Sequence, residues 1–237
     1  MIVDFHAHIL PCADHGSDSA ETTAKQLQMI AAAGTEAVVA TPHFYPNQDT
    51  VDSFLARREA SAKALYDLQI PNAPQLFLGA EVLVCHGLSK MKGLERLAVV
   101  GTNVLLLEMP FRQWDSELLD TLEDIEELGL HPVLAHIDRY PRDGVEQLLR
   151  AGFDAQLNAE GFKGLFSPGR CRRYLDSGRV VALGSDLHGA VPGSYRDFVR
   201  ACKKLGARAE TVFERSAALL QKATPITELF GEKPLTV

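Results

Sequence analysis

The sequence predicts an α/β fold on a parallel sheet, and within that class a (β/α) barrel, on three observations. Short apolar, β-branched runs alternate with longer amphipathic stretches, a pattern that calls for right-handed crossovers between parallel strands. The turn after the first run reads His-Ala-His-Ile-Leu-Pro, where an open dinucleotide-binding sheet needs a glycine-rich loop. Histidines and acids recur at the C-terminal ends of successive runs, where a barrel gathers its functional side chains.

Seven runs read as strands: residues 2–5, 37–41, 75–84, 103–108, 131–135, 155–158 and 180–184. Between them the punctuation marks helices. Residues 19–33 are closed by Gly34, residues 50–68 follow, 115–128 are closed by Gly129 and 143–151 by Gly152. Ser167-Pro168 opens a further helix that ends near Gly178. In the third, Leu118, Leu119, Leu122, Ile125 and Leu128 form an apolar stripe, and the acidic remainder is a solvated face. Residues 207–229 read as mostly helix interrupted at Pro225, with Lys233-Pro234 in a fraying tail.

At 237 residues, 46% hydrophobic and 23% charged, the composition is that of a soluble globular chain, and no boundary divides residues 1–237, so one domain is expected. No stretch approaches the roughly 18 apolar residues of a membrane span. Met1-Ile2-Val3-Asp4 leads into polar residues rather than a signal's apolar core, so a cytoplasmic location is expected. Cys12, Cys85, Cys171 and Cys202 lie far apart with no C-x-x-C pair, so reduced thiols are expected and a zinc ribbon is not. A net charge of −7 argues against a nucleic-acid partner, and on its own would also discourage an anionic substrate.

The strand-end residues are metal-ligand types. His6 and His8, two apart on an extended segment, point both imidazoles to one side, with Asp4 on the same side to orient them. Asp186-Leu187-His188 repeats that geometry late in the chain, and His43, Glu81, Glu108 and His136 close the intervening strands. Taken singly, His43 is a plausible loop residue and either Glu a partner for arginine; the set as a whole points to metal. Glu108 closes the apolar run Val104-Leu105-Leu106-Leu107, where desolvating a carboxylate is costly without a cation. His15 brings the possible ligands to nine, more than one or two ions would take, so three divalent ions are expected; a mixed His and carboxylate set suits Mn, Fe and Zn alike. His86 and His131 fit no strand end and read as surface or packing residues.

These motifs resemble a known family. Asp4-Phe5-His6-Ala7-His8, Asp14-His15-Gly16, Thr41-Pro42-His43, Gly79-Ala80-Glu81, Leu107-Glu108, His136-Ile137-Asp138-Arg139-Tyr140 and Gly184-Ser185-Asp186-Leu187-His188 are similar to the motif series of the PHP (polymerase and histidinol phosphatase) superfamily. The His-Ile-Leu-Pro start, the His-x-x-Arg-Tyr segment and the short length most resemble its bacterial tyrosine-protein phosphatases of capsule and exopolysaccharide clusters. The resemblance covers residues 1 to about 190. It implies a distorted seven-stranded TIM-like barrel and a trinuclear Mn, Fe or Zn centre. The implied ligands are His6, His8, His15, His43, Glu81, Glu108, His136, Asp186 and His188. The implied substrate is a phosphotyrosine protein, a membrane-associated tyrosine kinase of polysaccharide export, with Arg139 contacting phosphate. Two departures stand out. The phosphatase branch usually has Asp-Asp-Gly where this chain has Asp14-His15-Gly16, and the run after His188 differs from the usual Arg-Pro, leaving Arg196 as the candidate second phosphate arginine.

In the implied chemistry, a hydroxide bridging the metals attacks phosphorus while Arg139 neutralises the phosphoryl oxygens. A phenolate, pKa about 10, leaves with the help of a metal or one protonated imidazole, so no single general acid is required; His188 is counted with Arg139 and Arg196 as a catalytic candidate. Three carboxylates against roughly six positive charges turn the barrel mouth positive despite the acidic exterior. Met109, Phe111 and Trp114 are placed to flank an aromatic ring or simply to pack the rim. Cys202 through Arg208 matches the C-x5-R pattern of cysteine phosphatases, but inside an amphipathic run instead of at a strand-to-helix turn. The rival functions are a small-molecule phosphoesterase such as histidinol phosphatase, an amidohydrolase, disfavoured because Glu108 stands where a carboxylated lysine is usual, and a non-catalytic metal-stabilised binding module.

Overall fold

Parallel pairing runs through the whole sheet. A computed structural model of the chain describes residues 1–111, 114–163 and 167–231, and among these it contains nine strand segments. They are β1 (Val3–Ala7), β2 (Ala37–Ala40), β3 (His43–Phe44), β4 (Gln75–Leu78), β5 (Glu81–Leu83), β6 (Val104–Glu108), β7 (His131–Leu134), β8 (Asp154–Asn158) and β9 (Val180–Gly184). They form two sheets, in the orders β1-β2-β4 and β3-β5-β6-β7-β8-β9. The last strand's exit lies beside the first strand: Asp186 N–H donates to the His6 carbonyl at 2.8 Å and His8 N–H to the Leu187 carbonyl at 3.1 Å. The arrangement is barrel-like, with the strand exits on one face.

Seven strands were expected, and the extra segments come from two neighbouring breaks. The expected strand 75–84 divides into β4 and β5, and β3 is an added segment beyond the expected strand 37–41; both breaks fall at the same level, between paired Ala40 and Leu78 on one side and paired His43 and Glu81 on the other. Pro42 has no N–H to give to a ladder, and Gly79 fits where a Cβ would come 3.3 Å from both Val39 and Val99 side chains. Gly79 N–H still donates to the Ala40 carbonyl and Glu81 N–H to the Pro42 carbonyl, so pairing carries across the jog. The first strand also runs further than expected, and His6 lies within it.

The helices are α1 (Ala20–Ala32), α2 (Val51–Asp67), α3 (Ser116–Glu127), α4 (Arg142–Ala151), α5 (Ser167–Asp176), α6 (Arg196–Leu205), α7 (Ala207–Leu219) and α8 (Ile226–Phe230). Ser19, Thr50 and Asp115 cap the first three by accepting from a backbone N–H three residues on. On α3, Leu118, Leu122 and Ile125 are buried as expected, whereas Leu128 is 59% exposed because it falls at the C-cap, past the packed face. The helical stretch at the C-terminus stops at Leu219 and restarts only after Pro225. The Lys233-Pro234 tail lies outside the described residues. No helix among the described residues is long and apolar enough to cross a membrane.

Candidate metal centre

The strand exits bring the histidines and acids together. Extended geometry from Asp4 to His8 sends Asp4, His6 and His8 into one buried space. Glu81 enters from the jog at the start of β5 and Glu108 from the end of β6. His136 follows β7 with φ 31°, and Asp186 follows β9 with φ 51°. Left-handed backbone at two non-glycine residues of one site is strain that a functional geometry retains.

Glu81 is the hub, its side chain fully buried. Its Oε1 lies 2.7 Å from His136 Nε2, and its Oε2 lies 2.9 Å from His43 Nδ1 and 3.2 Å from both His6 Nε2 and His8 Nε2. His6 Nε2 and His8 Nε2 face each other at 3.1 Å, and Asp186 Oδ1 is 3.4 to 3.5 Å from both. Three groupings have all their donor atoms within 4.8 Å of one another: His6, His8 and Glu81; His43, Glu81 and Glu108; and His8, His43 and His188. His15 is exposed at the rim, its ring stacked 4.9 Å from His43 and 4.8 Å from His188.

The donor set fits cations. Burial alone would push His8 down, yet Asp14, Asp186 and Glu81 hold its imidazole well above the usual range. Burial would likewise push Glu81 up, but His6, His136 and His43 hold it well below the carboxylate range. Burial and then neighbouring Glu81 raise Glu108. Burial and the nearby His8 lower His188 to about 4, leaving it neutral, the form in which imidazole binds a metal. His136 Nδ1 and His188 Nε2 are buried with no hydrogen-bond partner, a costly arrangement unless they face a cation.

Several residues support the donors in ways that sequence alone did not show. Asp14 accepts from His8 Nδ1 at 2.6 Å and from the backbone N–H groups of Gly16 and His43 at 2.8 and 3.0 Å. Gln156 Oε1 meets His6 Nδ1 at 3.2 Å and accepts from His136 N–H at 2.7 Å. Asn158 donates to Asp186 Oδ2 at 3.0 Å. The Gln156 and Asp14 contacts leave Nε2 of His6 and His8 turned towards the centre. Gln156 meets His6 from 150 positions away in sequence, so no local motif marks it, whereas Asp14 lies within Asp14-His15-Gly16 and only its hold on His8 and His43 went unread.

The substrate-side candidates separate. Arg139 Nη2 lies 2.6 Å from Asp186 Oδ2 at the rim, with the side chain 38% exposed. Arg196 is exposed at the start of α6, its guanidinium 2.8 Å from where a Cβ on Gly193 would stand. Of the three rim candidates, Met109 is buried instead of flanking the mouth, and Trp114 packs edge-on to Tyr140 with its indole N–H donating to the Pro110 carbonyl. Phe111 alone stands outward, 67% exposed. Cys202 sits in the last turns of α6, away from a helix N-terminus, and burial pushes its thiol up to about 12. His86 pairs with Asp115 and His131 with Asp154, both outside the centre.

Comparison with known proteins agrees with this geometry. A tyrosine-protein phosphatase CpsB of Streptococcus pneumoniae is 25% identical over 206 residues, 79% of this chain and 83% of that one. Tyrosine-protein phosphatase YwqE of Bacillus subtilis is 23% identical over 201 residues, covering 79% and 77%. In fold, the chain superposes on a crystal structure from a study of YwqE and S. pneumoniae CpsB, described as unique metal-dependent tyrosine phosphatases. The TM-score is 0.76 at 19% identity, covering 94% of this chain and 96% of that one. A β-aspartyl dipeptidase of Fervidobacterium islandicum shares the fold more distantly, with a TM-score of 0.54 at 12% identity over 92% and 74% of the two chains. The family model for capsular polysaccharide synthesis, CpsB/CapC, matches residues 2–205. That span holds every donor from His6 to His188, and the chain belongs to the CpsB/CapC family.

Proposed function

We propose that this protein is a metal-dependent phosphomonoester hydrolase of the protein-tyrosine-phosphatase type. The observation that carries the reading is the buried cluster around Glu81, where overlapping His and carboxylate groupings could hold metal; the ions proposed are three divalent ones, Mn, Fe or Zn. The similarity to CpsB and YwqE supports phosphotyrosine as the substrate class. The protein substrate is then a membrane-associated tyrosine kinase of polysaccharide export, met in the cytoplasm.

His6, His8, His15, His43, Glu81, Glu108, His136, Asp186 and His188 would hold the ions. Divalent ions, when bound, supply charge neutralisation and a water acidic enough to deprotonate near neutral pH. The chain does the rest. Asp14 and Gln156 hold His8 and His6 with Nε2 inward. Asp186 positions Arg139, whose planar guanidinium suits bidentate contact with phosphoryl oxygens at the rim. Arg196, at the start of α6, is the second candidate for phosphate. A phenolate leaving group, pKa about 10, makes a modest demand for protonation, consistent with the neutral His188 serving as ligand.

The test is hydrolysis of p-nitrophenyl phosphate, phosphotyrosine peptide and histidinol phosphate side by side with Mn, for wild type and His136→Ala. Preferred turnover of phosphotyrosine, reduced at least about 100-fold in the variant, is expected. A strong preference for histidinol phosphate would replace this reading with a small-molecule phosphoesterase, and no turnover of any phosphoester would replace it with a binding module.

A further inference from the structure

Two aromatic rings stand against histidines of the candidate metal centre. Phe111 leaves 67% of its surface in water, yet its ring lies 14° from parallel to that of His136, with centroids 6.2 Å apart. Tyr45, half-buried, stacks on His43 at 18° and 5.2 Å. His43 and His136 both neighbour Glu108: His43 shares a donor grouping with it, and His136 Nε2 lies 3.7 Å from Glu108 Oε1. A lone exposed apolar side chain is ordinary. Two rings, each stacked on a different donor beside the same carboxylate, are a built arrangement.

Both rings are held from behind. The Tyr45 carbonyl accepts from the N–H groups of Gln48 at 2.9 Å and Asp49 at 3.1 Å. Asp49 pairs with Arg57 at 2.7 Å, and Arg57 Nε donates to the Ala13 carbonyl, next to Asp14. On the other side, Met109 N–H donates to the Tyr140 hydroxyl at 2.9 Å, and the Tyr140 ring lies 5.5 Å from that of Phe111. Surfaces fixed before the ligand arrives lose little entropy on binding it.

We propose that Tyr45 and Phe111 form an aromatic slot above Glu108 that receives the ring of an aryl phosphate, making the centre selective for phosphotyrosine over phosphates of aliphatic alcohols. The inference rests on the phosphatase reading and names the residues that select its substrate. With the phosphate on the centre, a phosphotyrosine ring projects outward to the level of these two side chains, where offset or edge contacts with aromatic faces are favourable. A phosphoserine leaves the slot untouched. Because the walls touch a part of the substrate that does not react, they bind ground and transition states alike, and their loss falls on KM.

The experiment compares wild type, Phe111→Ala, Tyr45→Ala, Phe111→Leu, and the ring-retaining Phe111→Tyr and Tyr45→Phe. The substrates are one peptide carrying phosphotyrosine and the same peptide carrying phosphoserine. A second readout, independent of turnover, is calorimetric binding of the peptide with phosphonomethyl-phenylalanine, a non-hydrolysable benzylphosphonate in which a methylene replaces the ester oxygen. Each alanine variant is expected to raise KM for phosphotyrosine about tenfold, ~1.4 kcal/mol, with kcat within about twofold and the phosphonate Kd raised by the same factor. The ring-retaining variants stay near wild type. Phe111→Leu, which keeps apolar bulk without a ring, falls between and separates lost stacking from lost folding. Unchanged selectivity and an unmoved phosphonate Kd in variants of an active wild type would overturn the slot alone. A wild type that turns over no phosphotyrosine would overturn the phosphatase reading together with the slot.

Discussion

Asp14 reaches the centre through other residues: one carboxylate fixes the His8 ring and the backbone at His43 and Gly16. Removing such a support costs metal affinity more than fold. Asp14→Ala is therefore expected to weaken Mn binding about 10–100-fold in a calorimetric titration; unchanged affinity would contradict the role. At the same scale, burial pushes the thiols of Cys171 and Cys202 up to about 12, so neither is a thiolate at neutral pH. Iodoacetamide is expected to spare phosphatase activity that a chelator removes, and the reverse pattern would restore the cysteine mechanism. The candidate donors other than His15 were legible in sequence, because each sits at or just beside a strand end where a charged or imidazole side chain interrupts an apolar run. Gln156 was not, since what it does depends on partners that only the folded chain brings near, and for Asp14 the motif was visible but not its hold on His8 and His43.

The jog shared by the β2-β3 and β4-β5 strands is the element that shapes the centre, since it sets His43 and Glu81 side by side. Alternation foretold the strands but not their breaks: Pro42 and Gly79 were visible as residues, while their matching level depends on register between strands, which periodicity does not encode. Close approach matters as much at β9. A Cβ on Gly184 would stand 2.6 Å from both His6 Cβ and Gln156 Nε2, so the strand passes the His6 ring only as glycine. Gly184→Ala is expected to cost ~1–3 kcal/mol, lowering the melting temperature by roughly 2–4 °C per kcal/mol in calorimetry. A melting temperature equal to wild type would show that the strand has room to shift.

For the whole molecule, the net charge of −7 and an anionic substrate are reconciled by where the charges lie. The six acids of α3 from Glu117 to Glu127 are all exposed, while Glu81, Glu108 and Asp186 converge on the centre with the histidines. Fold class was legible because strand and helix alternation is a global pattern, and the site because barrels collect side chains at strand exits. Binding of metal to the folded chain alone should stabilise it by about 2.7 kcal/mol at a hundredfold excess over Kd, seen as a higher melting temperature with Mn than with chelator. Equal melting temperatures would mean that the cluster holds no ion.

The most direct measurement joins metal content to turnover in one preparation. Protein stripped with a chelator, reloaded with Mn, and assayed for bound metal and phosphotyrosine hydrolysis is expected to lose activity when stripped and to regain it as metal approaches about three ions per chain. Full activity in protein free of metal would contradict the central claim that the Glu81 cluster is a metal centre for phosphate hydrolysis.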